Sequence, residues 1–205
     1  MRFNHIFKLT NENETHREYK CDNVNINIDF ISGSALRVAV FNDNAEMLPT
    51  FTVNPNNNLS SLGRSRLSVD GFDCVAPVVE KFENKEKFVL DCGITVDLDL
   101  NNFILSYSKE SKLLFADRAP LAYNFEGEFG NGSYHYITRE DDEHIFGLGD
   151  KSGLINKAGQ VYRVETADSM GFDAEKTDPL YKHVPFYICE NSVGAYGIYY
   201  DTTDT

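Results

Sequence analysis

Residues 88–107 read FVLDCGITVDLDLNNFILSY. From Phe88 onward the even positions Leu90, Cys92, Ile94, Val96, Leu98 and Leu100 are apolar, while the odd positions are mainly Asp, Gly and Thr, with Val89 the exception. Successive side chains leave a strand on opposite sides, so a period of two marks a strand with one face buried and one face wet. Gly93 interrupts the run and predicts a bulge or a bend. Asn101-Asn102 predicts a turn, after which Phe103, Leu105 and Tyr107 resume the alternation.

The same signal recurs along the chain. Val24, Ile26, Ile28 and Phe30 are apolar, and Asn25, Asn27 and Asp29 between them are polar. Leu36 to Phe41 follows Ser32-Gly33-Ser34, which predicts a hairpin. Tyr134 to Ile137 and Ala195 to Tyr200 add strands. Helical periodicity is scarce; residues 54–68 read as loop, with one short helical turn near Leu59 to Leu62. Many short strands separated by turn signals predict an all-β antiparallel β-sandwich with few short helices.

With 205 residues, 41% hydrophobic content, 15 Phe and 11 Tyr, the chain suits one domain with a core that needs no staples. The net charge of −13 argues against nucleic acid and anionic membrane surfaces as partners, since either needs a basic patch. The first fifteen residues hold no apolar run of signal-peptide length, and no later stretch reads as a membrane span, so the expected compartment is cytoplasmic. Cys21, Cys74, Cys92 and Cys189 form no C-x-x-C pair, and the five histidines show no ligand spacing, so neither metal nor cofactor is expected. Glu140-Asp141-Asp142-Glu143 lacks calcium-loop spacing and reads as a solvated turn.

Ile145 to Ile188 is different: IFGLGDKSGLINKAGQVYRVETADSMGFDAEKTDPLYKHVPFYI. It is long and mostly polar, and a connection of that kind inside a domain is usually functional or disordered. Leu154, Val161, Tyr162, Phe172, Leu180 and Tyr181 are the expected apolar anchors that argue for order. Gly147-x-Gly149 with Lys151 lacks a full phosphate-binding fingerprint and predicts a tight turn instead. Phe146, Tyr162, Phe172 and Tyr181 have the flat faces that stack on sugars; anchoring is the expected role for most, with Phe172 kept as a ligand contact. Five acids lie here, Glu165, Asp168, Asp173, Glu175 and Asp178.

In Gly147-Leu148-Gly149-Asp150-Lys151-Ser152-Gly153, Asn156-Lys157-Ala158-Gly159, Asp168, and Asp178-Pro179-Leu180-Tyr181-Lys182 ahead of Pro185-Phe186, the segment resembles the N-terminal domain of glycoside hydrolase family 31, the α-glucosidase family. The resemblance implies a galactose-mutarotase-like sandwich of the supersandwich type, with an active-site loop within residues 146–185 that reaches into a following catalytic barrel. The family's nucleophile and general acid lie in that barrel. No catalytic residue is therefore expected within 1–205, which reads as a C-terminally truncated N-terminal domain, inactive alone.

Asp168, in Thr166-Ala167-Asp168-Ser169-Met170-Gly171-Phe172, falls on the family's loop aspartate, which hydrogen-bonds hydroxyls of the non-reducing-end sugar. A carboxylate suits that task because it accepts two hydroxyl protons in charge-assisted bonds. Thr166 and Phe172 complete the expected substrate-binding set. Relatives often carry an asparagine or aromatic residue just before the aspartate; here Val164 to Ala167 depart from that pattern. The implied parent is an exo-acting, retaining α-glycosidase, foremost an α-glucosidase, whose partner is an α-linked oligosaccharide or glycoside. Two alternatives stand beside it. A stand-alone carbohydrate-binding module usually presents exposed Trp, and this chain has none. An aldose mutarotase-like epimerase needs an acid and a base across one sugar. The edge left by a truncated sheet is compatible with a homo-oligomer.

Overall fold

The computed structural model describes residues 5–50, 52–53, 55, 64–123 and 134–201. The chain divides into two compact units, Met1–Thr138 and Arg139–Thr205. Among the described residues there are twelve strands and no helix. The helical turn expected near Leu59 to Leu62 lies outside the described residues.

The first unit holds two antiparallel meanders. One sheet runs β1 (Lys8–Glu12), β2 (His16–Cys21), β3 (Val24–Ser32) and β4 (Ala35–Asn42) in that order. The other runs β5 (Val78–Lys81), β6 (Lys85–Val89), β7 (Ile94–Asp99), β8 (Ile104–Lys109) and β9 (Lys112–Ala116). Each sheet turns its apolar alternate positions to a shared core. Tyr19, Val24, Ile26, Ile28 and Phe30 come from the first sheet, and Phe88, Val96, Leu98 and Leu105 from the second. Phe30 meets Phe88 at 5.2 Å between ring centroids, and Tyr19 meets Phe103 edge-on at 5.3 Å. Burying each such side chain contributes about 1.5–3 kcal/mol, which makes this non-directional term the reason the layers stack.

Several expectations change in detail. The run from Phe88 is two strands rather than one bent strand. Leu90 N–H donates to Ile94 O, Gly93 N–H donates to Leu90 O, and Gly93 sits at φ +82°, so residues 90–94 close a hairpin. Phe88 pairs with Val96 and Val89 with Thr95, so an odd number of residues separates partners and the even positions share one face through the turn, which is why alternation alone could not separate hairpin from bend. The stretch Tyr134 to Ile137 pairs through single bridges, Tyr123 with His135 and Asp117 with Ile137, rather than as a continuous strand. Asp29 on β3 does not face water; it is 1% exposed. Its carboxylate is engaged by His16 Nδ1 at 2.6 Å and by Arg37 Nε and Nη2 at 2.9 and 2.7 Å. Arg37 also donates to the carbonyls of Arg66 and Leu67, at 2.7 Å each, and so fastens the 64–70 loop over that face.

A second polar contact ties the two layers directly. Glu86 on β6 is buried and accepts a 2.6 Å hydrogen bond from the Tyr19 hydroxyl on β2. Arg17, also on β2 and buried, approaches the same carboxylate at 3.5 Å and lies over the Phe88 ring at 5.4 Å. Burial, then the Glu86 carboxylate, push the Tyr19 hydroxyl above its usual range, so it remains a donor. Removing Glu86 leaves the buried Tyr19 hydroxyl without this acceptor, while Arg17 keeps its 2.5 Å contact with Glu12. Glu86→Ala is therefore expected to cost about 1–3 kcal/mol in urea unfolding. The double variant Tyr19→Phe/Glu86→Leu, which removes donor and acceptor together, should recover most of that loss; a double variant as weak as the single would contradict the assignment.

The second unit holds one antiparallel sheet of β10 (His144–Gly149), β11 (His183–Glu190) and β12 (Ala195–Tyr199). The long stretch between β10 and β11 contains no strand of its own among the described residues, yet its backbone is hydrogen-bonded at many points.

Candidate substrate-binding loop

The loop begins where β10 can no longer continue regularly. Gly147, Leu148 and Gly149 all adopt positive φ, at +118°, +68° and +83°. The β10–β11 register shifts between Gly147 and Gly149. A Cβ on Gly149 would stand 2.7 Å from Lys182 O and 2.9 Å from Val184 N, both immovable backbone atoms. The glycines thus serve a tight turn and close backbone approach, as their spacing predicts. Asp150 N–H then donates to Lys182 O at 2.8 Å, which closes the base of the loop.

From that base the loop is fastened mainly by polar groups. Asn156 Oδ1 accepts from Ile145 N–H at 3.0 Å and from Ala158 N–H at 3.1 Å, while Lys157 N–H donates to Ile145 O at 2.7 Å. The Lys157 side chain is buried, donates to Ser152 O at 2.9 Å, and lies over the Tyr162 ring at 5.4 Å. Lys151 has a fully buried side chain, 0% exposed, whose Nζ meets Asp178 Oδ1 at 3.0 Å and also donates to Arg163 O. The second oxygen of Asp178 accepts Arg163 N–H at 2.6 Å.

This corrects the expectation of apolar anchoring. Leu180 is buried, 8% exposed, but Leu154 is 81% and Val161 94% exposed, and Phe172 and Tyr181 also reach the surface. A loop of this composition has too few apolar groups in contact to hold its path, so buried lysines on backbone carbonyls hold it instead. The Glu140–Glu143 turn is likewise not wholly solvated. Glu143 is buried and accepts from Tyr196 OH at 3.1 Å, and Asp142 accepts Ser192 N–H at 3.0 Å.

The loop's acids now separate by what they touch. Asp178 is engaged as above. Asp173 closes its own turn, accepting Glu175 N–H at 2.8 Å through Oδ1 and Thr177 N–H at 3.0 Å through its carbonyl. Glu165 pairs with Arg163 at 3.5 Å. Asp168 is exposed, and its carboxylate makes no hydrogen bond or ion pair among the described residues. Its backbone, by contrast, is held on both sides. Ala167 N–H donates to Leu180 O at 3.0 Å, Ser169 Oγ donates to Pro179 O at 2.8 Å, and Tyr181 OH donates to Ser169 O at 3.0 Å. Thr166 Oγ1 lies 2.9 Å from His183 Nδ1. Phe172 stands edge-on to Tyr181 with ring centroids 6.5 Å apart. The three residues singled out in the sequence therefore lie on one restrained segment, Thr166 and Phe172 with local partners and Asp168 without.

One donor cluster joins His5 to the adjacent pair Cys21 and Asp22, a spacing that matches no local metal motif. Ligand atoms of His5, Cys21 and Asp22 lie within 4.8 Å of one another. Tetrahedral zinc with bonds of about 2.0–2.3 Å sets its donors about 3.5 Å apart, so these three side chains could hold a metal ion.

The profile of the family described as the glycosyl hydrolase 31 N-terminal galactose mutarotase-like domain matches residues 25–205. This chain belongs to that family. Alpha-glucosidase 2 of Bacillus thermoamyloliquefaciens is 26% identical over 98 residues, which is 47% of this chain and 12% of that protein. The GH31 dextranase of Flavobacterium johnsoniae, solved as a mutant with isomaltotriose, superposes with a TM-score of 0.72 at 21% identity over 98% of this chain and 22% of the dextranase. The α-subunit of glucosidase II, solved with Glc1Man2 bound, gives a TM-score of 0.69 at 11% identity over 98% of this chain and 28% of that subunit. The chain thus spans under a third of the length of each of these relatives. The galactose-mutarotase-like β-sandwich expected from the sequence is the fold of this GH31 domain.

The turn geometry gives a test independent of any sugar. Gly93 and Gly149 share nearly the same φ, but a Cβ on Gly93 would meet nothing within 4 Å. Gly93→Ala should cost about 1–2 kcal/mol from backbone conformation alone. Gly149→Ala adds a backbone clash and should cost about 2 kcal/mol more, since overpacking of this kind typically costs about 1–3 kcal/mol. Denaturant unfolding of the two variants checks the difference, and equal costs would contradict the close approach at the base of the loop.

Proposed function

We propose that this GH31 domain is the N-terminal part of an exo-acting, retaining α-glycosidase, foremost an α-glucosidase, and that its 146–185 loop supplies a substrate contact to the enzyme's active site. The observation that carries the reading is Asp168, an exposed carboxylate with no partner among the described residues on a backbone held from both sides. Rigid presentation matters because a group that must be ordered on binding loses part of what its contacts contribute. A restrained carboxylate accepts hydroxyl protons from two positions of one sugar and discriminates against a sugar that lacks either. Thr166 and Phe172 flank it as further contacts, the first through its hydroxyl and the second through a ring that is half exposed. Family membership and the names of the relatives, an alpha-glucosidase, a dextranase and a glucosidase II subunit, support α-linked glucosides as the substrate class. The bond-breaking carboxylates belong to the rest of the enzyme, so the domain alone is inactive. Retention there requires a nucleophile and an acid–base pair roughly 5–5.5 Å apart.

The test is hydrolysis of p-nitrophenyl α-glucoside, α-xyloside and α-galactoside by the full-length enzyme and by its Asp168→Ala variant. The variant is expected to remain folded and lose about 10- to 100-fold in kcat/KM, the worth of charge-assisted hydrogen bonds at about 1.5–3 kcal/mol. Undiminished kcat/KM would make Asp168 an ordinary loop acid.

A further inference from the structure

The Lys151 side chain sits where no ordinary surface lysine would. Its Nζ is out of solvent, yet it opposes a single carboxylate and one backbone carbonyl within the loop, both more than ten residues away in sequence. The carboxylate is Asp178, and its two oxygens divide their work. Oδ1 faces Lys151, and Oδ2 accepts the amide of Arg163. The carbonyl of that same Arg163 accepts from Lys151. Lysine, aspartate and the backbone of one residue therefore form a closed ring of charge-assisted bonds that grips residue 163 by both its N–H and its C=O.

The position of the grip is what gives it meaning. Arg163 begins the segment that runs through Thr166 to Asp168, and Asp178 begins the segment that runs through Pro179 and Leu180 to Tyr181. Those two segments are the ones joined at the far end by Ala167 N–H to Leu180 O, Ser169 Oγ to Pro179 O and Tyr181 OH to Ser169 O. Lys151 and Asp178 thus fasten one end of this pair of joined segments, and Asp168 lies at the other. Lys151 itself leaves the turn Gly149-Asp150, which is bonded to Lys182 O, so the fastener is referred back to the rigid β10–β11 sheet.

We propose that Lys151 and Asp178 are positioning residues for Asp168: they set the path of residues 163–168 and thereby the place of the substrate-binding carboxylate, without touching substrate themselves. This rests on the reading of Asp168 as a sugar contact. Two features separate a positioning role from simple support of the fold. The ring grips the loop rather than the sheet, and its removal leaves the β10–β11–β12 pairing without a lost hydrogen bond. Its disruption should therefore loosen the Asp168 segment while leaving the strands intact.

Two readouts test the proposal. The first uses the 205-residue chain and is independent of activity. In Lys151→Met, amide hydrogen exchange at Arg163 and Ala167 should quicken by about tenfold or more, the effect of losing a buried charged partner, while β3 and β11 amides keep their rates. Unchanged exchange at Arg163 and Ala167 overturns the proposal. If the methionine variant does not fold, Asp178→Asn is the deciding variant. It keeps the shape but turns an amide donor toward either Lys151 or Arg163 N–H, and the same quickening is expected.

The second is a double-variant cycle in the full-length enzyme on its p-nitrophenyl glycoside. Lys151→Met or Asp178→Asn should lower kcat/KM, and neither should lower it further when Asp168→Ala is already present, since both act through the same contact. Independent, multiplying losses would mean general structural damage and overturn the positioning role. No loss from the Lys151 or Asp178 variant alone, with a clear loss from Asp168→Ala, would sink this inference and spare the reading of Asp168. No loss from Asp168→Ala would sink both.

Discussion

The pairing of residues 167–169 with residues 179–181 is the constraint on which the candidate site depends. A carboxylate directs a sugar only if it does not have to be placed at the moment of binding, and freezing a peptide unit costs about 1–2 kcal/mol each time it is done. Here that ordering is done during folding, through the Ala167–Leu180 amide bond and the Ser169 hydroxyl on Pro179. Asp168 sits between these restraints with its side chain uncommitted. The neighbouring acids illustrate the alternative: Asp173, Asp178 and Glu165 have comparable chemistry but already hold local partners. Being unengaged on a rigid frame, rather than being acidic, distinguishes Asp168.

Two kinds of force divide the molecule between them. In the 1–138 unit, apolar side chains from β3, β6, β7 and β8 stack the sheets, and contacts such as Phe30 with Phe88 carry no strong directional demand. Directional groups are then added where an alignment must be specified, as with Tyr19 and Arg17 on Glu86. In the 139–205 unit the balance is reversed. The loop exposes Leu154, Val161 and Met170 and buries Lys151, Lys157 and Ser152. Hydrogen bonds to backbone carbonyls require a definite geometry, so a loop held this way has one path rather than several loosely packed ones.

How much of this could be read from residues alone follows from the same division. Alternation is a local signal, and it located Val24 to Phe30, the Phe88 to Tyr107 strands and the inward faces of both sheets. It was blind to the hairpin at Gly93, because an odd number of residues between partners preserves phase, and to the burial of Asp29, because Arg37 and the 64–70 loop arrive from elsewhere in the chain. Thr166, Asp168 and Phe172 were found by family resemblance and not by any pattern in their own composition. The fasteners of the loop were missed. Lys151 and Asp178 are 27 residues apart and each looks like an ordinary surface residue until folding brings them together. Leu154 and Val161 mislead in the opposite sense: apolar residues in a loop predict anchors, and the structure leaves these two exposed.

The proposal that Asp168 holds a hydroxyl of the sugar is tested by a hydroxyl-by-hydroxyl comparison. The full-length enzyme and its Asp168→Ala variant would be assayed on the parent glycoside and on the series of its monodeoxy analogues at the non-reducing sugar. The account predicts that the advantage of aspartate over alanine in kcat/KM disappears on one or two particular analogues, those lacking the hydroxyls it contacts, and persists on the others. An advantage of the same size on every analogue would contradict it, because the carboxylate would then be acting on the protein and not on the sugar.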